Sequence, residues 1–230
     1  MTPFASIEPR ESSAGGRVVF TSSWDDGHPL DLRLAELLQR HGFTGTFYVP
    51  MRNASGLPVI GAAEIRRLAA SAEVGSHTLD HCYLTSVDDA QARAQICAGK
   101  AELEQALGAS VAGFCYPGGQ FTAGHRRIVA AAGFRYARTT VNFCSNAGTD
   151  PFLVPTSLQL YPHSRSVYLR NWVRRGRWLA RHDLARVALS NADLLPRLRA
   201  ALARVERTGG LFHLWGHSWE FGAIDGWRVL

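Results

Sequence analysis

The sequence predicts an α/β protein in which a parallel sheet, open or closed into a barrel, is covered by helices. Three observations carry that prediction. Short runs of β-branched and aromatic residues alternate with helix-periodic runs along most of the chain. Hydrophobic residues make up 46% of the 230 positions and charged residues 19%, the balance of a chain that buries a core. No repeat, low-complexity tract or Pro/Gly/Ser linker interrupts it, so a single domain is expected over residues 17–230, after a flexible polar head at 1–16.

Residues 17–24 (RVVFTSSW) are rich in β-branched and aromatic side chains and read as the first strand. Asp31 starts a helix that sets Leu34, Leu37 and Leu38 on one face and closes at Gly42. Residues 44–49 (TGTFYV) form the next strand, 62–71 a helix and 73–76 a short strand. Ser86, Val87, Asp88 and Asp89 read as a capping box that opens a long helix to about Leu107. Residues 111–116 are a strand, 124–132 a helix and 134–138 a strand. Between Asn142 and Asp193 the pattern assigns no path, and Trp172 and Trp178 there suit core, lid or interface alike. Residues 194–207 form a helix and 211–216 a strongly apolar final strand.

Composition excludes several classes. Cys82, Cys97, Cys115 and Cys144 include no C-x-x-C pair, so neither a zinc ribbon nor a dithiol redox motif is spelled. No apolar run approaches the length of a membrane span, and the start lacks the character of a secretory signal, so a reducing cytoplasm is the expected setting. The net charge is +6, nearly all from arginine, because Lys100 is the only lysine. Most of the excess lies in residues 165–207, where Asp183, Asp193 and Glu206 are the only acids. That segment is either a solvated basic face or a surface that draws nucleic acid, an anionic glycolipid or a sugar-nucleotide diphosphate.

In parallel α/β folds the ligands sit beyond the C-terminal ends of the strands. Asp25 and Asp26 leave the first strand pointing to different sides, so one can ligate a metal while the other handles a proton, and Gly27 permits the sharp turn. On its own the pair is ordinary turn chemistry. His77 and His81 stand four apart, a spacing that on one helical turn places both imidazoles on one ion. Two histidines and the carboxylate of Asp26 make a common catalytic zinc set with one position left open. His213 and His217 share a face of the last strand. His217 follows Gly216 at the exit, where catalytic groups sit, and His213 reads as a hydrogen-bonded core or lining residue. Trp215 and Trp219 suit either a sugar-binding floor or core packing.

Taken in order, these residues resemble the polysaccharide deacetylases, the metal-dependent N-deacetylases akin to chitin deacetylase, from about Val18 to Glu220. Asp25-Asp26-Gly27 is similar to that family's first motif, His77-Thr78-Leu79-Asp80-His81 to its second, Tyr116-Pro117-Gly118-Gly119 lies where the third falls, and residues 211–217 where the last supplies a histidine. The resemblance implies a deformed or incomplete (β/α)7 TIM-like barrel of parallel strands. It implies one divalent ion, zinc foremost and cobalt, nickel or manganese as substitutes, on Asp26, His77 and His81. It implies Asp25 as base, His217 as the acid that protonates the leaving amine, and the backbone of Gly118 at the oxyanion. Tyr116, Trp215, Trp219 and His213 complete the substrate side. The expected substrate is an acetamido sugar of a surface polysaccharide, lipopolysaccharide or nucleotide-sugar pathway. An anionic substrate of this kind would meet Arg174 and Arg175 through bidentate phosphate contacts. No nucleic-acid partner is expected, and the sequence leaves the oligomeric state open.

Three departures stand out. Cys115 occupies the place of an arginine that pairs with the base in the family, Gly118 replaces an aromatic, and no Asp–Trp element that would orient the histidine is evident at 142–161. Two other readings keep the fold: a metal-free amide or cyclic-imide hydrolase, and a catalytically silent carbohydrate- or nucleic-acid-binding protein.

Overall fold

The computed structural model describes residues 17–174 and 176–230; the head expected at 1–16, together with Arg175, lies outside the described residues. The element order is β1 (Val18–Asp25), α1 (Leu30–Arg40), β2 (Thr46–Val49), α2 (Ala62–Ala69), β3 (Glu73–Ser76), α3 (Asp89–Leu107), β4 (Gly113–Cys115), α4 (Ala123–Ala131), β5 (Tyr136–Arg138), β6 (Leu158–Gln159), α5 (Arg165–Arg174), α6 (Trp178–Ser190), α7 (Leu194–Thr208), β7 (Gly210–Gly216) and a short α8 (Gly226–Val229). All seven strands run parallel in the order β5-β4-β3-β2-β1-β7-β6. The sheet curls into an incomplete (β/α)7 barrel, as the resemblance implies. Because the strands are parallel, every C-terminal end opens on one rim.

Local chemistry explains the elements. In β1, Trp24 is fully buried and packs edge-on against Phe221 with ring centres 5.6 Å apart. Helix α1 turns Leu34, Ala35 and Leu38 inward, and α2 does so with Ile65 and Leu68. Each large apolar side chain buried in this way contributes about 2 kcal/mol. Helix α3 ends at Gly108 in the left-handed conformation, as a glycine after a helix commonly does. Its start differs from the expected capping box. The Asp88 carboxylate caps the helix by accepting from the Gln91 amide, while the Ser86 hydroxyl donates to the Tyr83 carbonyl in the preceding 3-10 turn. The polar side chain directly before the first turn takes the cap.

The stretch between Asn142 and Asp193 holds β6, α5 and α6. Trp172 is partly buried against the core, whereas Trp178 is 55% exposed. Between β5 and β6 the gap is bridged by loop backbone, with Thr139 N–H donating to Val154 and Phe143 N–H to Ser157. Among the described residues no helix is long and apolar enough to cross a membrane.

Candidate active site

A cavity of about 540 Å³ opens on the rim. The strand ends give it Asp25, Asp26, His77, Gly118 and His217; the loops give His81, Tyr83 and Trp219; and β6 with α5 gives Gln159, Val167, Arg170 and Asn171.

Asp26, His77 and His81 offer ligand atoms that all lie within 4.8 Å of one another. The His81 Nε2 stands 3.1 Å and the His77 Nε2 3.7 Å from Asp26 Oδ1. That carboxylate oxygen is buried and no donor is aligned on it. An orphaned anionic oxygen beside two imidazole nitrogens fits a divalent ion such as zinc. The surroundings fix each donor. His77 Nδ1–H donates to the Cys115 carbonyl at 2.8 Å, which leaves Nε2 free toward the site. The Trp219 indole donates to Asp26 Oδ2 at 2.9 Å. Burial brings His77 down to about 4, so its imidazole is neutral and able to ligate. Burial would raise Asp26, but the imidazoles of His81, His217 and His77 outweigh it and hold the carboxyl well below its ordinary value.

The helical turn expected for His77 and His81 is not what joins them. Thr78 and His81 take positive φ of 68° and 56°, and Asp26 takes 81°, so both ligand loops are bent through the left-handed region at non-glycine residues. The second loop is braced from behind. Asp80 accepts from Arg52 and Gln95, and α3 approaches so closely that a Cβ at Gly99 would stand 2.6 Å from the Thr78 carbonyl carbon.

The base is held differently from the sequence expectation. Cys115 does occupy the place of the missing arginine, with Sγ 3.7 Å from Asp25 Oδ2. The cation arrives from another strand: Arg138, the last residue of β5, donates to Asp25 Oδ1. Arg138 is fully buried and its guanidinium lies over the rings of Trp215 and Tyr48, 4.9 and 5.2 Å from their centres. Burial would raise the Asp25 carboxyl, but Arg138, His77 and His217 outweigh it and hold it below its ordinary value. Asp25 is therefore ionised at neutral pH.

His217 has a partner too. Its Nδ1–H donates to Glu220 Oε2 at 2.9 Å, and its Nε2 is 4.0 Å from Asp26 Oδ2. Burial opposes its charge, yet the Glu220 bond with Asp26 and Asp25 raises it to about 9, so the imidazole carries a proton at neutral pH. Glu220 thus supplies the orienting carboxylate missing from residues 142–161. From that segment Asn142 contributes its Oδ1, which accepts from the Trp215 indole at 2.8 Å. Beside His217, the Ser218 hydroxyl donates to Asp31 at 2.5 Å, and burial pushes that carboxyl well above its ordinary value.

Not every expected residue reaches the cavity. His213 is clamped between Thr21 and Ser23, 2.8 Å from each hydroxyl; burial lowers it to about 3, and it lines no part of the cavity. Its place in mid-strand makes it part of the core. Tyr116 stacks on Phe121 and donates to the Phe152 carbonyl, so it too faces away. Trp215 and Trp219 do line the site, on either side of His217. Gly118 lines it with φ of 59°, and a Cβ there would stand 2.8 Å from Tyr83, so no aromatic could replace it. Arg174 lies off the cavity wall and Arg175 is outside the described residues; Arg170 is the arginine on the wall. The sequence reading missed Arg138, Glu220 and Asn142. A charged residue closing a strand and an acid three residues after a catalytic histidine were the available signals.

The sequence model for the polysaccharide deacetylases matches residues 13–137, more than half of the chain. No curated protein matches it significantly. Among solved structures, a Mycobacterium smegmatis protein assigned to the polysaccharide deacetylases is 17% identical with a TM-score of 0.62, over 96% of this chain and 84% of that one. A Streptomyces lividans family 4 carbohydrate esterase in complex with acetate is 15% identical with a TM-score of 0.54, over 91% and 84%. A Streptococcus pyogenes deacetylase in complex with acetate is 14% identical with a TM-score of 0.53, over 59% of this chain and 62% of that one. The chain therefore spans less than two thirds of the streptococcal protein's length. At these identities the likeness is one of fold.

Proposed function

Because the chain belongs to the polysaccharide deacetylase family, we propose that it hydrolyses the N-acetyl group of an acetamido sugar and holds one divalent ion, zinc foremost, on Asp26, His77 and His81. The observation that carries this reading is the unpartnered Asp26 oxygen between two imidazoles, with an ionised Asp25 and a protonated His217 in the same cavity. The ion would supply Lewis acidity toward the amide carbonyl.

The protein's own groups divide the remaining work. Asp25, kept anionic by Arg138, accepts the proton of the attacking water as oxygen bonds to the acetyl carbon. The Gly118 backbone faces the developing oxyanion at the cavity wall. His217 passes its Nε2 proton to the nitrogen as the carbon–nitrogen bond breaks, giving acetate and a free amine. Glu220 holds the ring in that orientation and favours its charged form. Trp215 and Trp219 offer aromatic faces to the sugar.

A surface-polysaccharide, lipopolysaccharide or nucleotide-sugar pathway is the setting we propose for the substrate, with Arg170 facing any anionic group it carries. The four free cysteines support a reducing, cytoplasmic setting. The test is the metal content of purified protein beside His77→Ala/His81→Ala, followed by acetate release from acetamido sugars. About one ion per chain, lost in the variant, is expected. No retained metal after reconstitution would overturn the reading.

A further inference from the structure

We propose that the tip of the α5–α6 hairpin docks on an anionic lipid surface and so brings the cavity mouth to the membrane. Among the described residues, four of the nine exposed large hydrophobic side chains fall between positions 169 and 179: Leu169, Val173, Trp178 and Leu179, the last 92% exposed. Leu169 and Val173 lie one turn apart on α5. The Trp178 indole donates to the Val173 carbonyl at 3.0 Å, which folds it onto the end of that helix beside Leu179. All four side chains thus belong to one end of the hairpin.

The charge around it points to one occupant. Residues 151–182 contain no acid, and exposed Arg170, Arg174 and Arg177 make no ion pair among the described residues. Tryptophan and leucine ringed by arginine suit the boundary between headgroups and acyl chains, where the rings and aliphatic chains insert and the guanidinium groups meet phosphate. A second copy of the chain fits poorly, since a two-fold contact would set these arginines against one another.

Buried Arg181 donates to the carbonyls of Asn142, Asn171, Trp172 and Gly176 and so ties α6 to the end of α5. The same helix that carries Leu169 and Val173 turns Val167, Arg170 and Asn171 into the cavity. Docking on one face sets the cavity mouth beside the headgroups.

The experiment is co-sedimentation of the full chain with phosphatidylcholine vesicles, with and without phosphatidylglycerol, across a salt series. Vesicle binding is read without turnover, so it stands apart from the deacetylase reading. Binding is expected only with phosphatidylglycerol and should weaken with salt. Arg174→Ala and Arg177→Ala should each weaken it about fivefold. Leu179→Ser should weaken it about tenfold, while acetate release from a water-soluble acetamido sugar stays unchanged. Absent binding, equal binding to neutral vesicles, or wild-type binding by Leu179→Ser would overturn the proposal. A dimer in sedimentation velocity that Leu179→Ser dissolves would assign the tip to a second copy instead.

Discussion

The two sides of the site are built by different means. On the metal side, Asp26, His77 and His81 come from two loops bent through the left-handed region, the second of them braced by α3. On the proton side, Asp25 and His217 are each held by a single partner: Arg138, 113 residues away at the end of β5, and Glu220, three residues further along the chain. A ligand set must fix distances and directions for three atoms at once, so its backbone has little freedom. A base or an acid needs only its charge state and one hydrogen bond fixed, and any neighbouring element can supply that. The metal side consequently falls in two short loops, Asp26 after β1 and His77 to His81 after β3, while on the proton side Arg138 reaches Asp25 from 113 residues away.

Arg138→Met gives the largest expected effect. It leaves the Asp25 carboxylate buried without its cation, at a cost of about 3–5 kcal/mol in denaturant unfolding at neutral pH. In the wild type the folded pKa of Asp25 is lowered, so its stabilising contribution is present above the unfolded value and is lost as pH falls through the folded one. In Arg138→Met burial dominates, the pKa rises, and the deficit shrinks as pH falls. The acid limb of kcat/KM should move upward with it. A variant as stable as the wild type at every pH would show that the pair does not hold the base.

Glu220→Gln is smaller. His217 is raised to about 9, so its contribution to stability is complete below about 6.5 and is lost as pH rises through 9. Without the carboxylate the imidazole loses its proton sooner, and the alkaline limb of kcat/KM should move down. Each unit of that fall below the assay pH costs about tenfold in rate. An unmoved limb would remove Glu220 from the role. Trp219→Phe tests the metal side and should do least: it removes the donor to Asp26 Oδ2 and weakens ion affinity about tenfold, read by titration with zinc. If it instead abolished binding, the ligand loops would be less self-supporting than their bracing implies.

How much of this was legible follows the same division. Helices α1 and α2 could be read because their apolar residues segregate to one face, and strands β1 and β2 because they are runs of β-branched and aromatic residues. Helices α5 and α6 could not, since they invert the rule: Leu169, Val173 and Leu179 face outward while Arg181 is buried on carbonyls. Strand β6 is two residues long and carries no period at all. The cluster of Asp26, His77 and His81 was named from spacing and order, although the turn joining the histidines is not helical. His213 is the hydrogen-bonded core residue that its mid-strand position allowed, not the substrate-side residue that the resemblance implied, and Tyr116 was misplaced because position in a strand does not say whether a polar ring faces the core or the mouth. Arg138 escaped notice because its partner is 113 residues away, a fact of tertiary structure alone.

That distance has a geometric consequence. In the sheet β5 and β1 are separated by β4, β3 and β2, so the Arg138–Asp25 pair is a chord drawn across an arc of five strands. The two charges touch only because the arc bends, and a flatter sheet would leave both stranded in a dry interior. Curvature and catalytic readiness are thus one variable. A substitution that flattens the arc should therefore cost hydrolysis before it unfolds the helices.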